Sequence, residues 1–167
     1  DPTWPDVERA ISMIRESSEQ AFQPFREHTQ VRISEQVRMA RDRALRLQVL
    51  PLYDHRCALC ALRLRWHQLV EAEAAHVVPV EHSGVDDLRN ALSLCRTHHW
   101  AFDRGLWTVD EDMRARVVEP PDDPEVDVES LTQLARKPIE LPDEERLRPH
   151  VDALDWHRKH VFVGDAA

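Results

Sequence analysis

The sequence predicts an α+β fold: a strand, loop, strand, helix unit flanked on both sides by helices. Two observations predict it. Apolar residues recur at helical spacing in both flanks, while the middle of the chain alternates short apolar runs with polar loops. Two Cys/His pairs also bracket that middle, at spacings that suit a bound metal ion. With 167 residues and 42% apolar content, the chain can bury one core, so a single compact domain with helical extensions is expected.

The elements follow in order. Val7, Ala10, Ile11, Ile14 and Ala21 place a packing helix over Pro5 to Phe22, stopped by Pro24. Val37, Ala40, Ala44, Leu45, Leu47 and Val49 mark a second helix from Ser34, its candidate cap, to Leu50, where Pro51 ends or kinks it. Leu69 to Ala75 reads as a strand, Pro79 to Asn90 as a polar loop, and Ala91 to Leu94 as a short second strand. Cys95 to Arg104 reads as a helix stopped by Gly105. Leu106 to Val109 and Arg114 to Val118 form a hairpin, with Trp100, Phe102 and Trp107 packing the helix against it. A Pro-rich acidic loop, Glu119 to Asp127, then leads to short helices at Val128 to Ala135 and Val151 to Val161. The resulting division is a helical extension over 1–52, a core over 53–118, and an acidic loop with C-terminal helices over 119–167.

Net charge is −9, which argues against a nucleic-acid binder if taken as a whole. The charge is uneven, however. Arg26 to Arg65 holds nine Arg against four acids, and the run from Arg32 to Arg46 reads equally as a solvated helix face or as one that contacts phosphates. No stretch approaches the roughly 18 to 20 apolar residues of a membrane helix, and no signal pattern opens the chain, so a soluble, cytoplasmic protein is expected. The chain opens on Asp1 rather than Met, consistent with a piece of a longer polypeptide.

Cys57-x-x-Cys60 is followed, after 34 residues, by Cys95-x-x-His98. Each pair offers half of one tetrahedral Cys₃His site, and together they use every cysteine. Four protein ligands would close that site, so the Zn²⁺ it suits would be structural. The competing reading makes the three cysteines buried apolar thiols, but two paired knuckles are far more specific than one.

Between the pairs stand Glu73-Ala-Ala-His76-Val-Val-Pro79 and Asn90, and the second pair runs on into His98-His99-Trp100-Ala101-Phe102-Asp103. This order resembles the HNH endonuclease family, in particular a bacterial subgroup of restriction-type nucleases. The likeness is strong over Tyr53 to Val118, weaker toward Trp156-His157 and Phe162, and absent before about Arg41. It implies a ββα-metal core stapled by the zinc. It implies His76 as general base, able to accept a proton near neutral pH. Asn90, the chain's lone asparagine, would hydrogen-bond across the loop and orient His76. His99 would hold a catalytic Mg²⁺ or Mn²⁺, with Asp103, four residues on and so on the same helix face, as a second ligand. Adjacent helical residues point about 100° apart, so His98 can face the zinc while His99 faces the catalytic ion. The remaining histidines (His28, His55, His67, His82, His150, His157 and His160) show no ligand spacing, and surface or packing roles are expected for them.

One departure stands out. Many members carry a ligand immediately before the base, where this chain has Ala75; Asp103, or more weakly Glu73, would have to compensate. The implied function is metal-dependent hydrolysis of DNA in restriction or defence, with a separate recognition domain or partner supplying specificity. A lone site nicks one strand, so double-strand breaks would imply a homodimer or two successive nicks. Two other readings use the same residues: a non-catalytic zinc-stapled module that binds nucleic acid or protein, and an RNA-directed HNH nuclease.

Overall fold

A computed structural model describes residues 1–26 and 34–165; His28 and Arg32, both named above, lie outside the described residues. Helix α1 spans Trp4–Glu19. The Thr3 N–H donates to the Asp6 carboxylate at 3.1 Å, which satisfies a free donor at the helix start. The buried stripe is Val7, Ala10, Ile14 and Ser18, and it packs on Ala40 and Ala44 of helix α2, Glu35–Leu52. The expected extension of α1 to Phe22 does not occur. Arg89, gripped by Asp87, donates to the carbonyls of Ser17 and Gln20 at 3.0 and 2.9 Å and so caps the helix early. Phe22 then turns inward and stacks on His150 with ring centroids 4.4 Å apart.

Ser34 accepts from the Val37 N–H at 3.3 Å and starts α2. Pro51 does not break the helix but occupies its last turn. Only one residue follows it, so any bend it introduces ends with the helix. Asp54 and His55, both left-handed with φ 49° and 58°, then reverse the chain.

The strand expected over Leu69 to Ala75 is split. A small hairpin pairs β1, Arg65–Trp66, with β2, Leu69–Val70. At the break, Arg46 of α2 donates to the carbonyls of Val70 and Ala72 at 2.7 and 2.6 Å, removing them from any ladder. Strand β3, Glu73–His76, then pairs antiparallel with β4, Ala91–Leu94, so that His76 lies opposite Ala91. Helix α3, Arg96–Asp103, follows directly, and the Glu71 carboxylate accepts from its first N–H at 3.0 Å. Gly105 ends it in the left-handed region at φ 69°, where an added Cβ would also lie 1.9 Å from the Val161 carbonyl oxygen.

Strands β5, Trp107–Val109, and β6, Ala115–Val117, form the expected hairpin. Trp107 and Phe102 are fully buried against it. Trp100 is not: it is 53% exposed, under the Arg104 guanidinium at 4.5 Å. Helix α4 is shorter than expected, Glu129–Thr132, because left-handed Arg136 sends the chain across Met113 and Ala58. Helix α5, Val151–His160, closes the core. Its His157 is buried, stacked 3.7 Å from Phe102, and donates from Nε2 to the Phe102 carbonyl while Nδ1 accepts from Thr108. One cluster of buried residues draws on α1, α2, β3, β4, α3, β5 and α5. No helix among the described residues is long and apolar enough to cross a membrane.

Candidate functional site

Chemistry-bearing side chains gather on two sides of helix α3. On one side the turn after α2 delivers Cys57 and Cys60, closed by left-handed Ala61, whose N–H donates to the Cys57 carbonyl at 2.8 Å. The Ala58 N–H donates to the Ser93 carbonyl at 2.7 Å, which brings this turn against β4 and hence against Cys95. The donor atoms of Cys57, Cys60, Cys95 and His98 all lie within 4.8 Å of one another. His98 Nδ1 is 3.2 Å from Cys95 Sγ and 3.5 Å from Cys57 Sγ. A tetrahedral zinc site with bonds of about 2.3 Å has edges of about 3.8 Å, so this donor set could hold zinc. Hydrogen bonding to Cys57 and Cys60 outweighs burial and pushes His98 up to about 9. Trp107 Nε1 donates to the His98 carbonyl at 3.0 Å and steadies the helix behind it.

On the other side is an open cleft of about 660 Å³, lined in part by His76, His99, Asp103, Arg38 and Asp42. His76 ends β3. Asn90 is fully buried at the start of β4 and uses its whole amide on the intervening loop: Oδ1 accepts from Val78 N at 2.9 Å, and Nδ2 donates to the carbonyls of Val78 and Val85 at 3.1 and 2.9 Å. The loop is pulled so tight there that a Cβ on Gly84 would sit 1.9 Å from the Val78 carbonyl oxygen. His99 Nδ1 lies 2.9 Å from Glu73 Oε2, and its Nε2 lies 3.4 Å from Asp103 Oδ2. Glu73 thus holds His99 from behind, and Arg96 pairs with its other oxygen at 3.2 Å. Ala75 is fully buried and does not line this cleft. Burial pushes the Asp103 and Asp42 carboxyls up.

Three residues at this site, Asp86, Asp42 and Arg26, were not singled out by sequence. Asp86, in the loop, lies 3.0 Å from His76 Nε2 and pairs with Arg41 and with Arg26, the latter at 2.9 Å. Asp42 brings α2 into the cleft beside Arg38. Asp86 stands next to Asp87 in a polar loop, and no spacing tells which histidine it meets. The Arg run also divides in a way its sequence hides. Arg41 and Arg46 are committed to Asp86 and to backbone carbonyls, and Arg43 lies 5.8 Å over the Trp4 ring; Arg38 faces the cleft.

The span from the first zinc-type cysteine through β5 matches a known family. The model of the HNH endonuclease family covers residues 57–110. Residues 57–110 are thus similar to an HNH endonuclease domain. That stretch contains the Cys57, Cys60, Cys95 and His98 cluster, His76, Asn90, His99 and Asp103, and the strands and helix that hold them, whereas α1 and all of α2, with Arg38 and Asp42, lie outside it. Among solved structures, one described as a modification-dependent TagI restriction endonuclease is similar at a TM-score of 0.55 and 22% identity, over 70% of this chain and 37% of that one. The likeness is one of fold, and the chain spans well under half of that neighbour's length. No curated protein matches.

Proposed function

We propose that this HNH domain hydrolyses DNA phosphodiester bonds with a divalent metal, in a restriction or defence setting inside the cell. The observation that carries the reading is the cleft itself: His76 faces His99 and Asp103 across open space, while the zinc-type ligands occupy the opposite side of α3. His76 has no role among the sulfurs. As general base it removes a proton from the attacking water. Asn90 holds the loop that frames it, and Arg38 offers a cation to the phosphate backbone.

Mg²⁺ or Mn²⁺ fits His99 and Asp103. Two neighbouring ligands of an octahedral ion at about 2.1 Å lie about 3.0 Å apart, near the 3.4 Å between His99 Nε2 and Asp103 Oδ2. With Glu73 on Nδ1, Nε2 is the nitrogen left for a metal. When bound, the ion supplies charge stabilisation to the scissile phosphate and the leaving oxygen. Zinc at Cys57, Cys60, Cys95 and His98 is structural in this reading. Selection of a target falls to a recognition domain or partner beyond these residues, and the similar restriction enzyme, described as modification-dependent, makes modified DNA the first substrate to try. Plasmid cleavage with Mg²⁺, Mn²⁺ or chelator tests the proposal. The native chain should nick or cut with metal only, and His76→Ala should be about 10²- to 10⁴-fold slower. Cutting at the native rate by His76→Ala, or cutting of structured RNA alone, would overturn it.

A further inference from the structure

We infer that Asp86 is the positioning residue of His76, fixing the ring as the Nε2–H tautomer so that the Nδ1 lone pair is the one presented to the cleft. The inference rests on His76 being the base, but it stands on geometry of its own. The Asp86 side chain is only 7% exposed, and its two oxygens divide their work. Oδ1 accepts from His76 Nε2 at 3.0 Å. Oδ2 takes Arg26 at 2.9 Å and Arg41 Nε at 2.5 Å. Among the described residues, His76 Nδ1 makes no hydrogen bond, and its ring lines the cleft.

A neutral imidazole has one donor and one acceptor nitrogen, and the partner of the first decides which nitrogen is the second. An ionised carboxylate can only accept, so it selects Nε2–H. Burial alone would push Asp86 up, yet the bond from His76 and the charges of Arg41 and Arg26 outweigh it and hold the carboxyl below its usual range. Asp86 therefore stays an acceptor throughout the working range of a nuclease.

The surrounding backbone holds the arrangement in place. Phe25 forms a bridge with Gly84, the Arg26 N–H donates to the Ser83 carbonyl at 2.8 Å, and the Val85 N–H donates to the Pro24 carbonyl at 3.3 Å. These bonds set Arg26 beside Asp86 from one direction, and α2 sets Arg41 there from another. The segment following α1, which carries no family likeness in sequence, is thereby built into the base.

The test uses the zinc-loaded full chain and compares Asp86→Asn and Asp86→Glu with native protein. Nitrogen-15 shifts of the His76 ring report the tautomer without reference to activity. Native protein should show a protonated Nε2 and a bare Nδ1. In Asp86→Asn the amide can donate as well as accept, so the Nδ1–H form should rise and kcat on plasmid should fall about 10²-fold or more, with KM for DNA and zinc content near native. Asp86→Glu keeps the acceptor and should restore the Nε2–H signal and part of kcat. It also keeps the charge that Arg26 and Arg41 need, so it remains informative if Asp86→Asn misfolds. Native kcat with an unchanged tautomer in Asp86→Asn, or a native His76 already protonated at Nδ1, would overturn the inference. Native-rate cutting by His76→Ala would instead remove the base assignment and leave the ring measurement to judge the Asp86 pair by itself.

Discussion

His98 and His99 are consecutive on α3 and point to different faces of it: His98 Nδ1 lies 3.2 Å from Cys95 Sγ, whereas His99 Nδ1 lies 2.9 Å from Glu73 Oε2. The roughly 100° between successive helical side chains suffices for this separation. His98→Ala should therefore release zinc and lower the melting temperature, with activity following stability. His99→Ala should keep its zinc and its melting temperature, lose cleavage, and regain part of it at high Mg²⁺ or Mn²⁺. Metal analysis together with thermal melts checks both, and the opposite pattern would exchange the two roles.

Charge reversal along α2 should have unequal effects. Arg38→Glu should weaken DNA binding and reduce its salt slope by about one while leaving the melting temperature unchanged, because this side chain is exposed at the cleft. Arg46→Ala should instead destabilise by about 1 to 3 kcal/mol, since the carbonyls of Val70 and Ala72 lose their donor. Binding isotherms at several salt concentrations, paired with denaturant melts, distinguish the two.

Asn90→Ala should cost about 3 kcal/mol, because it strands the Val78 N–H and the carbonyls of Val78 and Val85 in a dry interior. Asn90→Asp tests the same network at constant shape. A carboxylate can accept from Val78 but cannot donate to either carbonyl, so Asp should rescue little. A stable, active Asn90→Asp variant would assign the loop's geometry to Gly84 and the backbone instead.

Burial holds His157 down at about 4, below its ordinary 6.5. Between these values the unfolded chain binds more protons than the folded one, so stability falls as pH drops from about 6.5 to about 4 and this contribution is flat outside that window. The loss by pH 4 is on the order of 3 kcal/mol. Urea unfolding across this range should show the slope in native protein and a shallower one in His157→Gln. Any zinc released at low pH should affect both proteins alike, and the difference between the two curves isolates His157.

Local signals made the meeting of Cys57, Cys60, Cys95 and His98, the order of β3, β4 and α3, and the left-handed stop at Gly105 readable from sequence, because each rests on spacing within a few residues or on one residue type with one conformational use. What stayed hidden depends on long-range meetings. The end of α1 is set by Arg89, about 70 positions away in sequence, and the strand break at Ala72 by Arg46 of a separate helix. Asp86 was invisible for the same reason. Its partners Arg26, Arg41 and His76 come from three segments, and neither periodicity nor a motif connects them. Trp100 was misjudged because aromatic character says nothing about which side of a helix a residue occupies, and its neighbour Ala101 takes the core position.

The sharing of one short helix between the sulfur cluster and the cleft bears on how inhibition is read. If both proposed ions are bound, a strong chelator should act on both at once, and removing either should silence the same assay. The order of add-back separates them. Magnesium alone should revive a chain that has kept its zinc, whereas a stripped chain needs zinc first, to rebuild α3, before magnesium has a His99 and Asp103 to bind. Oxidants that join the Cys57 and Cys60 thiols should mimic the stripped state without touching any residue of the cleft, so storage under reducing conditions becomes part of the definition of the active species.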